Sequence, residues 1–148
     1  MPLSYVIASG PYSDSMGFST KLRHLFNHFS TISPSLVILT GPFLDASDPL
    51  VENGNLSVSF EEKFEEIMTL ISDYSYKLPS SSKILIVPSL KDVTHDFVFP
   101  QCPFNLPSLS NDKILFVSNP CHVVVNGISI SMSSTDILKH LAAEEISK

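Results

Sequence analysis

Charged side chains are scarce in this sequence. They make up 16% of its 148 residues, well under the roughly 25% usual for soluble domains. A chain so poor in charge either packs a full core or covers part of its surface with another chain, and both readings stand here. Lysine and arginine cluster nowhere, and the formal net charge is −6. That argues against sequence-independent binding to nucleic acid phosphates, which needs a basic face. Mean hydropathy is positive at +0.21, yet no apolar run nears the ~20 residues of a membrane-spanning helix. Only two cysteines occur, Cys102 and Cys121, at no metal or redox spacing, which suits free thiols in a reducing compartment. The opening MPLSYVIAS lacks the basic and long apolar regions of a signal peptide. Internal repeats and low-complexity tracts are missing too.

What is present is a strand–helix rhythm. Leu3–Ser9 is rich in Tyr, Val and Ile and reads as a strand ended by Gly10-Pro11. Ser19 is expected to cap a helix whose Leu22, Leu25, Phe26, Phe29 and Ile32 recur at helical spacing, with Pro34 as its stop. Leu36–Thr40 reads as a second buried strand, ended by Gly41-Pro42. A polar connection follows. Ser59 and Glu62 then form a capping box that opens a helix to about Tyr76, with Phe60, Phe64, Ile67, Met68 and Ile71 on its apolar face. Lys83–Val87 is the third strand. Strand–helix–strand–helix–strand at this spacing predicts two right-handed crossovers and a parallel sheet. Beyond it the spacing predicts strands at Lys113–Ser118, His122–Asn126 and Ile128–Met132, the last two joined through Asn126-Gly127. A final helix is expected from Ser134/Thr135 to Ser147, with Leu138, Leu141 and Ala142 packing and His140 on its surface. The fold class is therefore α/β: a parallel βαβαβ core followed by a β-hairpin and a helix. The early first strand and the missing closing strands suggest a partial domain, cut at both ends.

Three strands end in Gly- or Pro-bearing loops: Ser9-Gly10-Pro11, Gly41-Pro42-Phe43-Leu44-Asp45 and Pro88-Ser89-Leu90-Lys91-Asp92. In an open parallel sheet such loops form the ligand crevice. A hydrolytic two-metal centre there needs several carboxylates and neutral imidazoles. Only Asp45, Asp92, His95 and Asp96 lie near those strand ends, with Asp14 some residues off, so turn hydrogen bonds are the expected role of these acids. A phosphate cradle is discounted because no G-x-G-x-x-G or P-loop occurs and Pro11 and Pro42 remove backbone donors. His24 and His28 have the spacing of a helical zinc pair but lie off the apolar stripe, on a solvated flank. Glu61, Glu62, Glu65 and Glu66 are the wet face of their helix. The segment after the third strand differs in kind. Phe97, Phe99, Pro100, Pro103 and Phe104 are too apolar for an ordinary solvated loop. They either fold back over the core or dock another subunit. Docking is the expectation carried forward, with the prolines keeping the loop pre-ordered.

Taken together, ASGPYSDS, LTGPFLDASDP, VPSLKDVTHDFVFPQCPF, FVSNP and SSTDILKHLAAEEIS closely resemble the B (accessory) subunits of DNA polymerase alpha. The resemblance runs from about Tyr5 to the end of the chain. It implies a calcineurin-like metallophosphoesterase sandwich that has lost its catalytic metals. Where active relatives place D-x-H after the first strand, this chain has Ser9-Gly10-Pro11. Where they place G-D-x-x-D it has Pro42 in the first acid position and keeps Asp45. Where they place G-N-H and an acid it has Leu90, Lys91 and Asp92. Proline and leucine cannot coordinate a metal, and Lys91 would repel one. The resemblance thus implies no catalytic residues, no metal and no cofactor. It implies a scaffold that binds the C-terminal region of the polymerase alpha catalytic chain within the nuclear polymerase–primase complex, reaching DNA and primase only through that complex and no membrane. It also implies an oligonucleotide-binding-type domain ahead of this one. Phe97, Phe99, Pro100, Gln101 and Phe104 are the expected subunit interface. The alternative is an active phosphoesterase using Asp45, Asp92, His95 and Asp96. A single-stranded nucleic acid binder needs basic residues beside its aromatics, and the Phe-rich loop has none.

Overall fold

The computed structural model describes residues 3–12, 20–109 and 111–145. Asp14, Ser19 and Ser147 lie outside these segments. Four strands, β1 (Tyr5–Ser9), β2 (Leu36–Thr40), β3 (Lys83–Val87) and β4 (Ile114–Phe116), form one sheet in the order β1-β2-β3-β4. All its pairings are parallel. β2 is buried along its whole length and β3 from its second residue on, as the unbroken runs LVILT and ILIV demand of strands covered on both faces.

Side-chain alternation divides the core in two. Val37, Leu39, Ile84 and Ile86 face α1 (Thr20–Ile32) and α3 (Phe60–Ser75), which present Leu22, Phe26 and Phe29, and Phe64, Ile67, Met68 and Ile71. The rings of Phe26 and Tyr74 stack at 5.0 Å between centroids. The opposite face, Leu36, Ile38, Leu85 and Val87, lies under a hairpin of β5 (Cys121–Val125) and β6 (Ile128–Met132) through Val123, Val125, Ile130 and Met132. The hairpin turn puts Asn126 and Gly127 at φ of 51° and 78°, the left-handed pair a two-residue type I′ connection requires. Helices, sheet and hairpin thus make three layers.

The capping box is formed as its residues predict. Ser59 Oγ accepts from Glu62 N at 3.2 Å, and Glu62 Oε2 accepts from Ser59 N at 3.0 Å. Ser59→Ala leaves the Glu62 N–H without its partner and is expected to cost about 1 kcal/mol, read as a lowered denaturant midpoint with an unchanged slope. At the other end of α3, Lys113 Nζ donates to Ser75 O at 2.9 Å and Leu78 O at 2.8 Å. A cation there complements the helix dipole.

Three elements differ from the sequence reading. The polar connection after β2 contains a single helical turn, α2 (Pro49–Glu52), capped by Asp48; four residues carry no hydrophobic period to read. β4 does more than precede the hairpin, since it joins β3 as the fourth parallel strand. The last helix, α4 (Ile137–Glu144), begins later than Ser134 or Thr135. Ser134 is engaged elsewhere, donating to Pro88 O at 2.7 Å, and Asp136 supplies the cap by accepting from Lys139 N at 3.0 Å.

Candidate functional site

The carboxyl ends of three parallel strands surround a crevice of about 470 Å³. β1 contributes Ser9 and Pro11, β2 contributes Pro42 and Asp45, and β3 contributes Leu90 and Lys91. Six of the seven positions read from the sequence as the vestigial site therefore meet here. The fourth wall comes from around α4, as Thr135, Asp136, Lys139 and His140, which the sequence reading did not find. No periodicity or spacing signals that a helix far downstream folds against loops it does not adjoin. His140 is exposed on its helix, as expected, yet it also lines the crevice. Leu138, Leu141 and Ala142, expected to pack, are exposed instead, Leu138 at 81% and Leu141 at 64%, and α4 buries none of its residues.

Asp92 is the seventh position, and it does not line the crevice. It lies beneath it, fully buried. Its Oδ1 accepts from the backbone N–H groups of Phe43 and Leu44, and its Oδ2 accepts from Ser89 N at 2.8 Å. One carboxylate thus clamps the loop after β2 to the loop after β3. Burial pushes its pKa from the ordinary 3.8 up to about 6, while the N–H donors of Ser89, Phe43 and Leu44 and the nearby His95 pull the other way. The loops also pair directly, with Ala46 N donating to Lys91 O at 2.8 Å and Val93 N to Leu44 O at 3.0 Å. Tyr12 stacks on Phe43 at 5.2 Å. Its phenol donates to Ala8 O, and burial, with Asp92 close by, raises its pKa.

Glycine permits this close approach. A Cβ on Gly41 would stand 2.4 Å from Asp92 Oδ2, and one on Gly10 would stand 2.1 Å from Pro42 O. The remaining carboxylates at the crevice hold their own turns. Asp45 Oδ1 accepts from Ser47 N at 2.9 Å, and Asp136 caps α4. Of the other acid–histidine candidates, His95 Nε2 bonds Cys102 O at 2.7 Å and Asp96 is exposed. Among the described residues, no three His, Cys, Asp or Glu side chains are grouped so as to hold a metal ion. His24 and His28 are both exposed on α1.

The aromatic loop splits into an inside and an outside. Phe97, Val98 and Phe99 are 65%, 67% and 50% exposed, and Pro100 is exposed as well. Gln101 and Phe104, expected at the interface, are buried instead. Phe104 packs on Phe64, Phe43 and His95 at centroid distances of 4.8, 5.9 and 4.8 Å. The Gln101 amide donates to Ser89 O and Asp96 O and accepts from Asn119 Nδ2, and its backbone exchanges two hydrogen bonds with Asn119. These two residues fasten the loop from within. Phenylalanines spaced irregularly among prolines in a loop follow no period, so the sequence could not tell which would turn inward.

A parallel sheet with helices on one face, a hairpin on the other and loops gathered at the strands' carboxyl ends is an α/β arrangement consistent with phosphoesterase-like domains. The chain belongs to the family of DNA polymerase alpha/epsilon B subunits, whose profile matches residues 5–148. It is 40% identical to the DNA polymerase alpha B subunit of Mus musculus over 146 residues, covering 95% of this chain and 24% of that protein. It is 40% identical to that of Bos taurus over 147 residues, 96% of this chain and 24% of the relative. Against the Dictyostelium discoideum protein the identity is 38% over 146 residues, 96% and 22%. The chain spans about a quarter of the length of these curated relatives.

Proposed function

We propose that this chain is a non-catalytic, scaffolding part of a DNA polymerase alpha accessory subunit, acting in the nucleus. It binds the C-terminal region of the catalytic chain within the polymerase–primase complex that initiates DNA strands, and reaches primase and DNA through that complex. The observation that carries this reading is the inward turn of Asp92. Both its oxygens are occupied by backbone donors, so the acid that the resemblance aligns with a metal-binding loop holds two loops together instead. The rest of the crevice agrees. Ser9, Pro11, Pro42, Leu90 and Lys91 stand where ligands would be needed. Asp45 and Asp136 each serve a turn, and Lys91 and Lys139 place positive charge between the walls. This donor set does not fit a two-metal centre.

Docking falls to the exposed half of the aromatic loop, Phe97, Phe99 and Pro100, with Gln101 and Phe104 bracing it. Large exposed apolar side chains on a fastened loop lose little entropy on binding. Replacing Phe97 and Phe99 together by alanine is expected to lower co-purification with the polymerase alpha catalytic chain at least tenfold while leaving the thermal midpoint nearly unchanged. Undiminished co-purification sinks this placement. Metal analysis with an aryl phosphate assay in manganese tests the crevice. Stoichiometric metal with turnover abolished in Asp45→Asn would restore the phosphoesterase reading, in which Asp45, Asp92, His95 and Asp96 act.

A further inference from the structure

Beside the exposed phenylalanines runs a second concavity. It has about 460 Å³ of volume and lies between the first turns of α3 and the returning arm of the aromatic loop. Phe64, Phe104 and Leu106 make its floor. Glu61, Glu65 and Asp96 stand along its rim. The volume falls in the range of about 300–1,000 Å³ that accommodates compact ligands, ample for one leucine- or phenylalanine-sized anchor and a neighbouring side chain. The groove's shape is held from within. His95 packs at a tilt against Phe104, 4.8 Å between ring centroids, and bonds Cys102 O, and Gln101 ties the loop to Ser89 and Asp96.

Charge decides what fits. Among the described residues, no lysine or arginine lines the groove. α3 as a whole carries five acids to one lysine, that lysine lying 2.5 Å from Glu66. Covering three carboxylates with an uncharged surface strips their water without compensation. Nucleic acid and anionic membranes are repelled by the same field. A guanidinium, by contrast, pairs bidentately with carboxylates and stacks on aromatic faces. We infer that this groove receives a protein segment in which arginine or lysine flanks an apolar anchor, contributed by the partner that also covers Phe97 and Phe99. The inference rests on the docking reading of that loop and names the chemistry of what docks. Acidic rim and apolar floor give it complementary roles: the charges select and orient the segment, and the anchor fills the groove.

Fluorescence anisotropy on this chain tests it, using a labelled peptide that alternates arginine with leucine and phenylalanine and a counterpart with glutamate for arginine. The basic peptide is expected to bind, and the acidic one not. Glu61→Gln with Glu65→Gln should weaken the basic peptide about tenfold and flatten its salt dependence. Asp73→Asn, which removes a charge from α3 outside the groove, should leave binding unchanged. Equal weakening by Asp73→Asn, or binding of both peptides alike, overturns the inference. A second arm separates it from the reading beneath it, by co-purification with the polymerase alpha catalytic chain. Loss with Glu61→Lys and Glu65→Lys as well as with Phe97→Ala and Phe99→Ala supports both. Loss with the phenylalanine pair alone leaves the docking loop standing and removes the groove, and loss with neither removes both.

Discussion

Asp92→Asn is expected to destabilise the fold by about 3–5 kcal/mol at neutral pH. The side chain keeps its size, so no cavity opens. What changes is one acceptor oxygen, replaced by an amide NH₂ that must face either Ser89 N–H or the Phe43 and Leu44 N–H pair, donor against donor. A hydrogen bond to a charged group contributes about 1.5–3 kcal/mol, and a buried donor without its acceptor costs about 1–3 more. Chemical denaturation at constant slope measures the loss. A change under about 1 kcal/mol would mean that the loops are held by something other than this carboxylate.

The same residue carries a pH signature whose sign is opposite to that of most acids. Burial raises its folded-state pKa from 3.8 to about 6, so between those values the folded chain binds the proton and the unfolded chain does not. Stability from this group is therefore fully present below about pH 4 and declines as pH rises through 6. A displacement of roughly two pH units corresponds to about 3 kcal/mol at most. Other groups titrate in the same window, so the quantity to read is the difference between wild type and Asp92→Asn at about pH 7.5 and about pH 5, on either side of the folded-state value. The gap in stability should be wider at the lower pH. A gap that narrows on acidification would show that the three N–H donors outweigh burial.

Gly10→Ala should be as damaging, by a different route. The new methyl would sit 2.1 Å from Pro42 O, 2.9 Å from Pro42 N and 3.0 Å from Pro42 C, all of them backbone atoms of the adjacent strand-end loop. No rotamer relieves such a contact. The loops after β1 and β2 must separate, taking the register of Gly10 N–H on Thr40 O with them. Overpacking a rigid core costs about 1–3 kcal/mol and occasionally more, and this contact belongs at the upper end. Gly41→Ala meets Asp92 Oδ2 at 2.4 Å and Ser89 Cβ at 2.9 Å, so it strikes the same clamp from above. Gly54→Ala is the control: nothing lies within 4 Å of its added carbon and only its φ of 65° is strained, a cost of about 1 kcal/mol. Thermal midpoints in the order Gly10→Ala below Gly54→Ala check the argument, and the reverse order refutes it.

The crevice was legible in outline because its residues announce themselves locally. A glycine-proline pair or a proline after an apolar run ends a strand wherever it stands, and three such endings in a parallel sheet must arrive at one edge. The roles at that edge were less legible. Asp45 and Asp92 both read as loop acids, and only the fold turns one toward the crevice and the other beneath it. Nothing near His140 or Lys139 indicates that α4 closes the fourth wall. The aromatic loop shows the same division: Phe97 and Phe104 look alike in sequence, yet one stays 65% exposed and the other is 6% exposed against Phe43 and Phe64.

By itself the sequence determined the order and type of the main elements, the parallel sheet buried on both faces, the capping box at Ser59 and the hairpin turn at Asn126-Gly127. Each follows from hydrophobic period or turn chemistry acting over a few residues. Tertiary structure alone decided the inward turn of Asp92, the burial of Gln101 and Phe104, the place of β4 and the wall made by α4. These depend on which backbone donors and apolar faces meet across long stretches of chain, and no short-range pattern encodes that distance.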